Sequence, residues 1–411
     1  MKRLFLIAFL LVATVAGAGD FINFPNFPTR GQGPFDKGGV WWQDSSLTFY
    51  APFDNPADPL RLIKGTGTLS FTRATTATYT SIDNGFISTA ASGQLRIESN
   101  GALIEGQRTN ILLRSRTLNN AAWVATNVTV DNTITGEDGV ANSASWVAAS
   151  ADNGTICQSV TIASAAFSGV ASLKRITGTG TVMISLDNGA TYGSDVSPSL
   201  SASAWYRASK ANQTLANPEV CLKLGTSGDN VAVDYAQVEA GVFISSRIPT
   251  TTAAVTRNAD GLSITPAGNV SNSTGTVSIT YDTPSVVAQG AILDIADDVD
   301  GSERIYLRSA TDNNNYTILV TGSATLASIS FAYTPGATNK IAFAWNTNDA
   351  RGAFNGSLGT PDTSLTTPED FTTIRIGATY QGSLQPYGHI KNLRIWNRAF
   401  TDSELQAITT P

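Results

Sequence analysis

Val277-Ser278-Ile279-Thr280-Tyr281 places an apolar side chain at every second position. Successive side chains of an extended strand point to opposite faces, so this run reads as a half-buried β-strand. The same alternation returns at Ile329, Phe331 and Tyr333, and at Ile341, Phe343 and Trp345. Turn chemistry agrees with antiparallel pairing. Asp83-Asn84-Gly85 and Asp187-Asn188-Gly189 supply residues that tolerate positive φ, and Val182, Ile184 and Leu186 lead into the second of these turns. Helix signals are confined to the C-terminus, where Thr401 and Glu404 have capping-box spacing and Leu405 and Ile408 make a short apolar face. The expected fold class is all-β: tandem jelly-roll β-sandwich modules with an extended N-terminal arm and a short C-terminal helix.

Composition narrows the function. The chain has 411 residues, enough for two or three domains, with 14% charged and 42% hydrophobic residues. It carries 32 acidic against 26 basic residues, a formal charge of -6, and no Lys/Arg cluster, so nucleic acid is excluded as an expected partner. A single histidine, His389, and two cysteines, Cys157 and Cys221, are too few for a Cys/His zinc site or an iron–sulfur cluster.

The ends are distinct from the middle. Lys2 and Arg3 precede an apolar run from Leu4 to Val15 and then Ala16-Gly17-Ala18, so residues 1–18 read as a signal-like leader, either cleaved after Ala18 or retained as a packed hydrophobic segment. Residues 19–44 mix Pro, Gly and aromatic residues, including Phe21, Phe24, Phe27, Trp41 and Trp42, and read as an extended docking arm. Interruptions near 105–115 and 248–272 divide the remainder into a β-rich region (45–110), a jelly-roll module (111–260) and a last module (272–411).

Three stretches resemble virion appendage proteins of tailed bacteriophages, the head-fibre, head-spike and tail-fibre polypeptides. They are Leu69-Ser70-Phe71-Thr72-Arg73-Ala74-Thr75-Thr76-Ala77-Thr78-Tyr79, then Leu103-Ile104-Glu105-Gly106-Gln107-Arg108-Thr109-Asn110-Ile111-Leu112-Leu113 with Trp123 beyond it. The third joins Ala236-Gln237-Val238-Glu239-Ala240-Gly241 to Ile248-Pro249-Thr250-Thr251 and Ala254-Val255-Thr256-Arg257. Residues 272–411 are similar to concanavalin A-like, laminin-G-like jelly rolls through Gly388-His389-Ile390-Lys391-Asn392-Leu393-Arg394-Ile395-Trp396-Asn397-Arg398-Ala399-Phe400. These resemblances imply a structural protein on the virion surface that meets other virion proteins through its arm and a host-surface glycan through its last module. They also imply a homo-oligomer, with a trimer as one form. The leader departs from that pattern and favours an alternative, a secreted polysaccharide-binding protein. A polysaccharide depolymerase is the remaining rival.

Catalysis is not expected. The Glu-x-Asp-x-Glu arrangement of concanavalin A-like glucanases is absent, no two glutamates share its spacing, and any triad would depend on His389, which reads as a strand-edge histidine. Glu105 and Arg108 read as partners in a charge-assisted bond that fixes a turn rather than as acid and base. For a glycan, an exposed aromatic ring beside Asp, Asn or Arg is the expected platform, and Tyr380, Tyr387 and Asn355 are the candidates. Asp297, Asp298 and Asp300 lie in Asp297-Asp298-Val299-Asp300-Gly301-Ser302-Glu303, part of a calcium loop, so Ca²⁺ is the one candidate cofactor; a solvated hairpin turn is the alternative. Cys157 and Cys221 are either a disulfide or two buried thiols.

Overall fold

The computed structural model describes residues 44–283, 290–312 and 314–411. The leader over residues 1–18 and the arm as far as residue 43, Trp41 and Trp42 included, lie outside the described residues.

Alternating apolar side chains close two sheets over one large core. The eight-stranded sheet runs Ser357–Leu358, Asp349–Phe354, Asn339–Asn346, Gly275–Tyr281, Gly388–Trp396, Gly101–Ile104 and Arg96–Glu98, with Leu47–Ala51 also paired to Gly388–Trp396. The seven-stranded sheet runs Ser70–Thr72, Gly261–Ile264, Thr373–Ile376, Gly290–Ala296, Arg304–Ser309, Asn314–Thr321 and Ala324–Ala332. Phe49, Val277, Ile279, Phe343 and Trp345 of the first sheet meet Leu262, Leu293, Ile305 and Ile374 of the second.

The strand Gly275–Tyr281 departs from the half-buried pattern, because its polar face is covered too. Thr276 Oγ1 donates to the Arg398 carbonyl at 2.8 Å and accepts from Phe400 N–H at 2.9 Å, so the chain leading to the helix lies over it. The helix, Asp402–Thr409, has the expected capping box of Thr401 and Glu404 and buries Leu405.

Residues 45–110 do not form a separate region, contrary to the expected boundary. Leu47–Ala51, Arg96–Glu98 and Gly101–Ile104 complete the eight-stranded sheet, and Ser70–Thr72 pairs with Gly261–Ile264. Alternation reports that a segment is a strand but not which strand it pairs with, so the sequence could not place these edges.

The chain leaves this body at Arg108–Asn110 and returns at Val255–Arg257, and these two short strands pair with each other, Asn110 opposite Val255. Between them lies a second sandwich. Its five-stranded sheet runs Tyr206–Leu215, Ala165–Thr177, Asn230–Ala240, Ala144–Ala149 and Val128–Ile134; its four-stranded sheet runs Val182–Ser185, Glu219–Leu224, Gly154–Ser159 and Val124–Thr126. Its core, built on Trp123, Ile156, Phe167, Leu173 and Leu222, is separate from that of the body. The second module is therefore inserted into the first, on a two-stranded stem.

Candidate functional site

The strand Arg304–Ser309 turns Ile305 and Leu307 into the core, which leaves Arg304, Tyr306 and Arg308 on its other face. Cross-strand register then adds neighbours. Asp294 stands opposite both Tyr306 and Arg375, and Tyr316 stands opposite Arg308. The outer face of the seven-stranded sheet is thus rich in arginine and tyrosine. The Arg304 guanidinium carbon lies 4.1 Å from the Tyr306 ring centroid and 5.1 Å from that of Tyr380. Arg308 lies 5.1 Å from the Tyr316 centroid and 5.9 Å from that of Tyr306.

Asp294 is the buried acid of this face. Arg304 donates to both of its carboxylate oxygens, and the Tyr380 N–H donates to Oδ2 at 2.8 Å. Burial pushes its carboxyl up to about 6, against the pull of Arg304. Arg308 and Arg375 differ from Arg304, because neither forms an ion pair among the described residues. Each has a buried Nε without a hydrogen-bond partner, and so does the Tyr306 hydroxyl. An unsatisfied buried donor costs about 1–3 kcal/mol. Water or a ligand that accepts hydrogen bonds relieves that cost, and an acidic group does so most strongly.

Tyr380, chosen from the sequence as a platform, belongs to this face but is not a free ring. Its hydroxyl donates to the Asp300 carbonyl at 2.9 Å and receives a bond from Gln381 Nε2 at 3.0 Å. The ring presses on Gly301, where φ is +71° and a Cβ would come within 2.6 Å of Tyr380 Cε1. Tyr380 forms a wall of the site, held against a turn that glycine alone permits.

Tyr387 and Asn355 lie elsewhere. Tyr387 packs edge-on against Phe243 of the inserted module, centroids 4.7 Å apart, and Arg108 lies over both rings at 4.6 and 4.8 Å. Asn355 and Gly356, at φ 47° and 81°, are the two-residue turn between Asp349–Phe354 and Ser357–Leu358, and Asn355 Oδ1 accepts from Lys340 N–H at 2.8 Å. Loop residues look alike in a sequence, and only the sheet order separates these three. Arg304, Tyr306, Arg308 and Arg375 were missed, although Arg304-Ile305-Tyr306-Leu307-Arg308 carries the signal as a strict polar–apolar alternation.

The three aspartates of the calcium-loop expectation do not converge. Asp297 accepts from Gly301 N–H at 2.7 Å and Ser302 Oγ at 2.9 Å, Asp300 from Ser302 N–H at 2.9 Å, and Asp298 from Thr372 Oγ1 at 2.9 Å. Asp297 and Asp300 tie the hairpin turn, and Asp298 joins it to Thr372, so the three carboxylates do not form one cluster. Among the described residues the one cluster of three potential ligands is Cys157, Glu219 and Cys221, and its two sulfurs are already joined. The disulfide links directly opposite positions of Gly154–Ser159 and Glu219–Leu224, with Cα atoms 4.2 Å apart.

Glu105 and Arg108 also part company. Glu105 Oε2 accepts from Arg96 at 2.7 Å and Arg257 at 2.6 Å, and Oε1 accepts from Ser246 N–H at 2.7 Å. Burial favours its neutral form, but Arg257 and Arg96 override this and hold the carboxyl well below its usual range. Asp260 joins the same network through Arg73 at 3.0 Å and Arg96 at 2.6 Å. Arg73, Glu105 and Arg257 come one from each of the three quoted stretches, which therefore meet where the insert joins the body.

His389 is held between two acids, Nδ1 3.0 Å from Asp282 Oδ1 and Nε2 3.0 Å from Glu98 Oε2. Burial opposes its charge, but Asp282 and Glu98 outweigh burial and raise it to about 9. At neutral pH both ring nitrogens are protonated and engaged, which leaves no base for a triad.

Residues 256–406 match the family described as the concanavalin A-like lectin/glucanases superfamily. The C-terminal part of the chain is a jelly-roll domain of this kind, completed in three dimensions by strands from residues 47–104. No curated protein matches the chain. Among solved structures, the CBM40 domain of the Ruminococcus gnavus IT-sialidase bound to alpha2,3 sialyllactose is similar at 18% identity over 34% of this chain and 84% of its own, with a TM-score of 0.31. The receptor binding domain of botulinum neurotoxin D is similar at 13% identity over 36% of this chain and 40% of its own, TM-score 0.30. The Trypanosoma rangeli sialidase in complex with DANA is similar at 12% identity over 36% of this chain and 25% of its own, TM-score 0.30.

Proposed function

We propose that the chain is a non-enzymatic attachment protein that holds an acidic glycan on the outer face of its seven-stranded sheet. The observation that carries this reading is the pair of guanidinium groups, Arg308 on the strand of Tyr306 and Arg375 across Asp294 from it, that form no ion pair among the described residues. A carboxylate or sulfate of the sugar would take charge-assisted bonds from them, while the tyrosine rings lie against its C–H faces. The locked state of His389, and of Glu105 between Arg96 and Arg257, supports binding without bond cleavage.

On this reading the protein is a head- or tail-fibre or spike subunit of a tailed phage, supported by the resemblance of the three stretches that meet at the insert. Its arm docks on other virion proteins, and repeated copies in a homo-oligomer turn weak single-site contacts into firm attachment. The leader favours a second reading, a secreted polysaccharide-binding protein. Electron microscopy of particles labelled with an antibody to this chain separates the two.

The binding claim is tested by titrating the full chain with acidic oligosaccharides. Arg308→Ala and Arg375→Ala are each expected to weaken binding about tenfold or more, the equivalent of one lost charge-assisted bond, with an unchanged melting temperature. Unchanged affinity in both variants, or release of reducing ends from the ligand, overturns it.

A further inference from the structure

Away from the arginine–tyrosine face, a cleft of about 270 Å³ opens where the hairpin of Ala77–Thr80 and Ile87–Ala90 meets the inserted module. Two of its lining residues are aromatic. Phe86 comes from the hairpin loop and is 47% exposed, and Trp205 comes from the insert. Phe86 rests on Gly139, at φ +73°, where a Cβ would come within 3.0 Å of the ring. Lys174 Nζ lies 4.9 Å from the Trp205 centroid.

Two further lining residues are Glu137 and Arg247, joined by two bonds of 2.6 Å, so their charges cancel. Asn84 and Thr80 add polar groups. The cleft is tied from both sides: Ile87 N–H donates to the Glu137 carbonyl at 2.9 Å, and the Thr78 hydroxyl donates to the Arg247 carbonyl. A second cavity of about 260 Å³ shares Arg247 with the first and is lined by Thr75, Thr76, Thr78, Thr89 and Thr256. Each lies just below the range of common ligand pockets, about 300–1,000 Å³, a size that suits a single sugar ring.

We propose that this junction is a second binding site, for a neutral oligosaccharide, with one pyranose ring against Phe86 and Trp205 and the next rings along the threonine-lined cavity. Aromatic faces match the C–H faces of a sugar, and threonine and asparagine match its hydroxyls. Among the lining residues the paired Glu137 and Arg247 leave no net charge, in contrast to the outer face of the sheet; Lys174, over the Trp205 ring, is a cation beside the cleft and not part of its lining. The site uses none of the residues of that face and stands independently of it.

The test titrates the full chain with neutral oligosaccharides of glucose, galactose, mannose and N-acetylglucosamine, one to five residues long. At least one series is expected to bind, with affinity rising about tenfold from one residue to three and then levelling. Phe86→Ala and Trp205→Ala are each expected to weaken it about tenfold, and Trp205→Phe to recover most of the loss. No binding by any series, binding indifferent to both alanine substitutions, or affinity independent of length overturns the proposal. Phe86 is exposed, so Phe86→Ala keeps the test decisive should Trp205→Ala melt early.

Discussion

His389 shows what one residue does when its partners are distant in sequence. Glu98 and Asp282 lie 291 and 107 residues away, yet together they keep the imidazole charged to a pH of about 9. A histidine whose folded value exceeds its unfolded value of about 6.5 stabilises the fold fully below that unfolded value. That contribution is lost as pH rises through 9. His389→Gln is therefore expected to lower stability by about 2 kcal/mol at pH 6, with the gap closing by pH 10; denaturant melts across that range check it. Parallel curves for the two proteins contradict it. The sequence offered His389 as a strand-edge residue and could not show its acids, just as it offered Tyr380 without Asp294, 86 residues away, whose carboxylate accepts the tyrosine N–H.

At the scale of elements, strands and turns were largely legible. The alternation at Ile341, Phe343 and Trp345, the Asp187-Asn188-Gly189 turn and the Thr401/Glu404 cap all stand where local chemistry puts them. Pairing was not legible, because the ribbon of Arg108–Asn110 with Val255–Arg257 joins segments about 147 residues apart in sequence. What holds that stem is electrostatic. Glu105 is almost fully buried between Arg96 and Arg257, so removing its charge leaves the buried Arg257 guanidinium without its carboxylate partner, while Arg96 keeps Asp260. Glu105→Gln is expected to cost about 3–5 kcal/mol, seen as a lower denaturation midpoint. A loss under 1 kcal/mol would mean that water reaches the network.

For the whole molecule, the consequence is that the family match and the folding unit differ. Residues 256–406 carry the match, but the eight-stranded sheet needs Leu47–Ala51, Arg96–Glu98 and Gly101–Ile104, and Phe49, Ile97 and Ile104 fill its core. A fragment of residues 256–411 is expected to lack a cooperative melt, whereas residues 44–411 melt cooperatively; a cooperative fragment would refute the shared core. The same closed sandwich supports the arginine–tyrosine face, where we propose adhesion without cleavage. The most direct test is titration of the full chain with an acidic polysaccharide and with the same polymer after its carboxylates are reduced to alcohols. Affinity about tenfold or more lower for the reduced polymer is the expected result; equal affinity for both would contradict the account.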